Sequence, residues 1–148
     1  MANKIHLVVV TPERAVLSEQ IDDVVLPGTM GQMNILPGHL PLLTTIGVGE
    51  MIVNQNGQRR HFLLDQGYAE ILTDRIIVLT EKCAGVNDID IEQARTALES
   101  LEKELSKLET LSQTEEVAED VFELHRSALH RERMKLAFAE ETSSDKKN

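Results

Sequence analysis

The residues of this chain that could do chemistry are spaced badly for it. Gly47-Val48-Gly49-Glu50 is glycine-rich, but it lacks the spacing and the lysine of a phosphate-binding loop. Asp22 and Asp23 are neighbours, so on a strand they point to opposite faces and read as solvated carboxylates, not a paired acid and base. His125 and His130 are five apart in a helical stretch, off the i, i+4 spacing that converges two imidazoles on one metal. Cys83 has no histidine nearby in sequence and reads as an idle or buried thiol. No catalytic residue, metal site or cofactor is therefore expected. The better reading is a soluble, non-enzymatic partner subunit.

Two other features point to contact, not catalysis. Leu26 to Glu50 holds two Leu-Pro-Gly segments, and Met30, Leu40 and Leu42 fall on or near their expected turns. Apolar side chains at loop tips suggest an interaction surface. Farther on, Glu115, Glu116, Glu119, Asp120 and Glu123 precede Arg126, Arg131, Arg133 and Lys135. That order complements a helix dipole. The dipole acts mainly on the terminal turns, so the basic end is also a candidate face for an acidic partner.

The elements that must position these residues change character near residue 86. Before it, Lys4–Val10, Ala15–Leu17, Ile21–Leu26, Met51–Val53, His61–Leu64, Tyr68–Leu72 and Ile76–Leu79 read as short strands. Asn56-Gly57 suits the two positive φ angles of a type I′ hairpin turn, and Pro27-Gly28 is read as closing a strand. Many short strands without helical period predict an antiparallel sandwich or barrel over 1–85. From Asp88 the period is helical: Ile91, Ala94, Leu98, Leu101, Leu105 and Leu108 form one stripe. Asp90 fits the N-cap and Gln93 the N3 position, with Ile89 and Ala94 as a hydrophobic staple. After a break at Thr110–Thr114, a second helix is expected from Glu115 to Phe138, striped by Val117, Val121, Leu124 and Ala128. The two should pack as an antiparallel hairpin over 86–140, followed by a flexible tail at 141–148.

Composition narrows the function. A net charge of −10 and only 3 % aromatic residues argue against nucleic acid, which needs cations and stacking faces. The same charge disfavours a bare membrane surface. A single cysteine suggests a reducing compartment. No signal peptide is apparent at the start, and no apolar run nears the roughly 20 residues that span a bilayer. Any membrane association is expected to run through a complex.

Val24-Val25-Leu26-Pro27-Gly28 with Gly31, then Ile35-Leu36-Pro37-Gly38-His39, Pro41, Leu42 and Thr44, resembles the ε subunit of F-type ATP synthase. Gly67-Tyr68-Ala69-Glu70 and Val78-Leu79-Thr80 match that family's later strands, and the resemblance spans nearly the whole chain. It implies a ten-stranded β-sandwich followed by two helices. It implies a central-stalk rotor subunit on the cytoplasmic face of the bacterial inner membrane, binding the γ subunit and the c ring. Gly28, Met30, Gly31, Gly38, His39, Leu40 and Leu42 would supply that interface. Through Arg126, Arg131, Arg133 and Lys135 the hairpin would reach an acidic segment of the β subunit and inhibit ATP hydrolysis. Some relatives bind ATP through Ile or Leu, Asp, two variable residues, Arg and Ala. Ile89, Asp90 and Ala94 match, but Gln93 stands where the arginine belongs, and an amide cannot make the charge-assisted bond to phosphate. Weak or absent ATP binding follows. A free-standing adaptor dimerising through its hairpin, and a nucleotide sensor, are the competing readings.

Overall fold

The computed structural model describes residues 3–145. The chain divides into two compact units between Val86 and Asn87.

The first unit is all β. Its strands are β1 (Ile5–Val10), β2 (Ala15–Ile21), β3 (Asp23–Gly28), β4 (Gly31–Ile35), β5 (Leu42–Ile46), β6 (Gly49–Gln55), β7 (Gln58–Leu64), β8 (Gly67–Ile71), β9 (Arg75–Thr80) and β10 (Cys83–Gly85). They follow the order β10-β7-β6-β3-β5-β8-β9-β1-β2, with β4 beside β3. β3 and β5 share the single pair Gly28↔Ile46. That seam divides the path into two layers, β10-β7-β6-β3-β4 and β5-β8-β9-β1-β2. All pairs are antiparallel except β1 with β9, which is parallel. The two layers close near β2 and β6, where Gln55 Nε2 donates to the Gln20 carbonyl at 2.7 Å and Arg60 pairs with Glu19. A ten-stranded β-sandwich, nearly a barrel, is the result.

Strict alternation builds the core. Ile5, Leu7 and Val9 on β1, Val24 and Leu26 on β3, Met51 and Val53 on β6, Ala69 and Ile71 on β8, and Ile76 and Val78 on β9 are fully buried, and each is two residues from the next on its strand. The β6–β7 turn has Asn56 at φ 52° and Gly57 at φ 78°, the left-handed pair that Asn-Gly favours. Gly67 is required by contact: a Cβ there would lie 1.9 Å from the Leu79 carbonyl oxygen on β9.

The first Leu-Pro-Gly segment is not a turn. β3 runs through Pro27 and Gly28, and the chain reverses one step later at Thr29-Met30. The Pro27 carbonyl accepts from the Gly47 N–H at 2.8 Å, beyond the three β3 residues that pair with β6. The second segment does turn. The His39 N–H donates to the Leu36 carbonyl at 3.2 Å, with Pro37 and Gly38 between them and Gly38 at φ 82°. Proline then positive-φ glycine at the central positions is the pattern of a type II turn.

The second unit is two helices, α1 (Ile91–Leu111) and α2 (Glu119–Asp145), preceded by a single 3-10 turn at Val86–Asp88. Asp90 caps α1, its carboxylate accepting the Gln93 N–H at 2.9 Å. α1 ends where Ser112 Oγ and Thr114 Oγ1 bond back to the Glu109 and Leu111 carbonyls, satisfying orphan acceptors. α2 starts at Glu119, four residues later than expected from Glu115, because the backbone N–H groups of 112–115 bond back to the last carbonyls of α1. It also continues through Asp145, whereas the sequence predicts a flexible tail over 141–148. The polar residues there close helix bonds: Thr142 Oγ1 donates to the Phe138 carbonyl at 2.6 Å and is buried. The last part of that stretch, 146–148, lies outside the described residues. The buried stripe of α2 is Phe122, Leu129, Phe138 and Ala139; Leu124, assigned to it from the sequence, is 71 % exposed.

Candidate functional site

The β3–β4 tip presents Met30 fully exposed. Thr29 fixes it: its N–H donates to the Thr45 carbonyl at 3.3 Å, and the two hydroxyls lie 2.6 Å apart. Gly28 and Gly31 form the last pair of that hairpin. Both have backbone reasons to be glycine, Gly31 through its φ of 129° and Gly28 because a Cβ would sit 2.7 Å from the Gly31 carbonyl oxygen. The Gly38–Leu42 loop is held elsewhere. The Gly38 N–H donates to the Thr73 carbonyl at 3.1 Å, on the β8–β9 turn. Leu40 is 79 % exposed, and His39 Nδ1 donates to the Leu40 carbonyl at 2.6 Å. These two loops adjoin opposite ends of β5, about 13 Å apart at 3.3 Å per residue. The structure therefore does not merge them into one patch.

One surface was missed from the sequence. Leu43 on β5, Tyr68 on β8 and Leu79 on β9 are large, apolar and more than half exposed. The registers Thr45↔Tyr68, Tyr68↔Leu79 and Glu70↔Ile77, with Val8 and Val10 opposite Ile77 and Leu79, put them on one outer face. Leu42-Leu43 and the unbroken run Ile76–Leu79 carried the signal: a strand apolar on both sides has a second face to cover.

The four cations of α2 do not form a cluster. Arg126 and Arg133 are seven residues apart, close to two helical turns, and share an exposed face. Arg131 and Lys135 lie on another side of the helix. Arg126 pairs with Glu119 at 3.1 Å and stacks over Phe122, its guanidinium 5.7 Å from the ring centre. Lys135 pairs with Glu132 at 2.8 Å. Arg133 reaches across to Glu102 on α1 at 3.3 Å. His125 also crosses, its Nε2 lying 3.3 Å from Glu104, while its Nδ1 donates to the Val121 carbonyl at 2.9 Å.

The residues matched to a nucleotide motif are occupied with helix initiation. Asp90 is the N-cap, Ala94 is buried and Gln93 supplies the capped N–H. Arg95, two positions past Gln93, bonds Glu92 at 3.4 Å. The adjacent carboxylates Asp22 and Asp23 are not paired with each other. Asp22 binds Lys4 Nζ at 2.5 Å and accepts the Asn56 N–H at 2.6 Å, and these bonds hold its carboxyl below the usual carboxylate range. Asp23 accepts from Asn54 Nδ2 at 2.6 Å. Cys83 packs against the sandwich core. Among the described residues no cluster of metal-ligating side chains occurs, and no helix is long and apolar enough to cross a membrane.

The chain thus joins a β-sandwich that exposes apolar side chains to a charged helical hairpin. Residues 4–85 match the family model for the β-sandwich domain of the ATP synthase delta/epsilon chain. Over 139 residues the chain is 34 % identical to an ATP synthase epsilon chain of Geotalea uraniireducens, covering 94 % of this chain and 96 % of that one. Over 108 residues it is 43 % identical to that of Trichlorobacter lovleyi, covering 73 % and 78 %. The fold is shared with a chain of the Euglena gracilis mitochondrial ATP synthase, at TM-score 0.67 and 17 % identity over 96 % of this chain and 81 % of that one. A chain of the Tetrahymena thermophila mitochondrial enzyme's central stalk and c ring gives TM-score 0.62 at 11 % identity, over 93 % and 97 %. The chain belongs to the ATP synthase epsilon chain family, as a non-catalytic subunit of the central stalk.

Proposed function

We propose that this subunit couples the c ring to the catalytic head through the γ subunit, on the cytoplasmic face of the bacterial inner membrane, and restrains ATP hydrolysis through its hairpin. The observation that carries the coupling role is the apolar outer face of Leu43, Tyr68 and Leu79, exposed beside a filled core. γ is its proposed occupant. The Leu40–Leu42 end of β5 borders that face, and His39 adjoins it. The exposed Met30 tip, at the other end of β5, is the proposed contact with the c ring, with Gly28 and Gly31 shaping it. In the restraining role, Arg126 and Arg133 on the exposed side of α2 meet an acidic segment of the β subunit, and Arg131 and Lys135 contribute from the other side. A pull-down from detergent-solubilised membranes tests the coupling role: γ and the c ring should come with the subunit. Recovery of neither would refute it. The other reading, dimerisation through the hairpin, is favoured only by the half-buried leucines of α1. Sedimentation of the isolated chain as a monomer would remove it.

A further inference from the structure

We propose that Glu102 of α1 is an internal competitor for Arg133, so that the paired hairpin withholds this cation from an acidic partner. The inference rests on the restraining role given above. Arg126 and Lys135 find their carboxylates on α2 itself, at Glu119 and Glu132. Those pairs travel with α2 wherever it goes. The Arg133–Glu102 bond joins the two helices and is lost whenever they part. It lies on the same side of α2 as Arg126, the side left for a partner. α1 thus offers Arg133 the kind of group an acidic protein segment would offer, a carboxylate on a helix. While the helices are paired, Glu102 takes up part of the Arg133 donor set, one nitrogen at 3.3 Å, that an acidic segment would otherwise engage. His125 and Glu104 make a second cross-helix contact, toward the turn between the helices.

Both ends of the Arg133–Glu102 pair are at least half exposed, so its effect is modest and screened by salt. Losing it should raise the ratio of parted to paired hairpins about two- to fivefold.

The test uses the full chain with Cys83→Ser and spin labels at Glu99→Cys and Ala137→Cys, alone and assembled with the catalytic head. Glu102→Gln and Arg133→Ala should both raise the population at long interlabel distance, by a similar factor. Their effects on hydrolysis should be opposite. Glu102→Gln frees Arg133 and deepens inhibition; Arg133→Ala removes the docking cation and relieves it. An unchanged distance distribution in Glu102→Gln overturns the proposal, whatever hydrolysis does. A shifted distribution with unchanged hydrolysis upholds the latch and overturns the restraining role instead.

Discussion

Replacing Leu43, Tyr68 and Leu79 together by Thr should abolish γ binding while leaving the sandwich folded. The three side chains are 72 %, 59 % and 51 % exposed, so the isolated domain gains little from them. Surface changes of this kind are usually within about 0.5 kcal/mol each, and Thr keeps the preference for strand. Covering the three exposed fractions is equivalent to burying a little under two whole side chains. At about 1.5–3 kcal/mol for each fully buried side chain, a docked partner would gain about 3–5 kcal/mol from them. That corresponds to roughly a hundredfold to several thousandfold in Kd. Urea unfolding measures the first quantity and titration calorimetry with purified γ the second. If the triple variant binds γ as tightly as its parent, γ docks elsewhere. If instead it unfolds at much lower urea, these side chains hold the fold and the face is not free.

Three further outcomes are expected. The depressed Asp22 carboxyl stabilises the fold above its ordinary pKa of about 3.9, and that contribution disappears as pH falls through the lowered native value. Asp22→Asn should therefore cost stability near neutrality, with the gap to the parent in urea midpoint closing as pH falls below about 4; a gap independent of pH would show that the bonds act without the charge. Gly67→Ala drives a methyl into the Leu79 carbonyl oxygen, so its loss of unfolding free energy should reach or pass the upper end of the about 1–3 kcal/mol usual for overpacking. A loss under about 0.5 kcal/mol would mean that β8 and β9 separate easily. By calorimetry, ATP should bind the unmodified chain weakly, and Gln93→Arg should gain about ten- to a hundredfold by restoring a charge-assisted bond. Tight binding without the substitution would refute that argument.

The sandwich was legible because its signals are local. Alternation along β1, β6 and β9 and the Asn56-Gly57 turn depend on near neighbours, as does the Asp90 cap. The parallel pairing of β1 with β9 depends on residues some seventy positions apart, and nothing in either strand's pattern marks its direction. Pro27-Gly28 misled because proline usually ends a strand; here β3 runs through it, and the reversal falls at Thr29-Met30. The stripe of α2 was misplaced by one residue. Val117, Val121, Leu124 and Ala128 have helical spacing, but the larger Phe122 and Leu129 define the buried side, and burial follows size as much as period. The outer apolar face was written in Leu43, Ile77 and Leu79. A strand apolar on both sides can equally be read as wholly buried, and only the topology shows that β5, β8 and β9 have water on one side.

The two units differ in how completely they satisfy their own apolar residues, and that difference bears on the switch. The sandwich buries Leu7, Leu26, Met51, Leu64 and Ile71 entirely, so opening it would expose a dense core. In the hairpin Leu98, Leu101, Leu105 and Leu108 are only half-buried, although they form the main stripe of α1. Such a stripe keeps part of its apolar surface uncovered, which a second arrangement could bury. The cross-helix bonds near it are long and at least partly exposed, worth at most about 1 kcal/mol each. Two packings of similar free energy are what let a partner decide between them. Extended end to end, 21 and 27 helical residues reach about 70 Å at 1.5 Å per residue. The proposed restraint thus needs no rearrangement of the sandwich: the weakly committed element is also the one with the reach and the exposed Arg126 and Arg133.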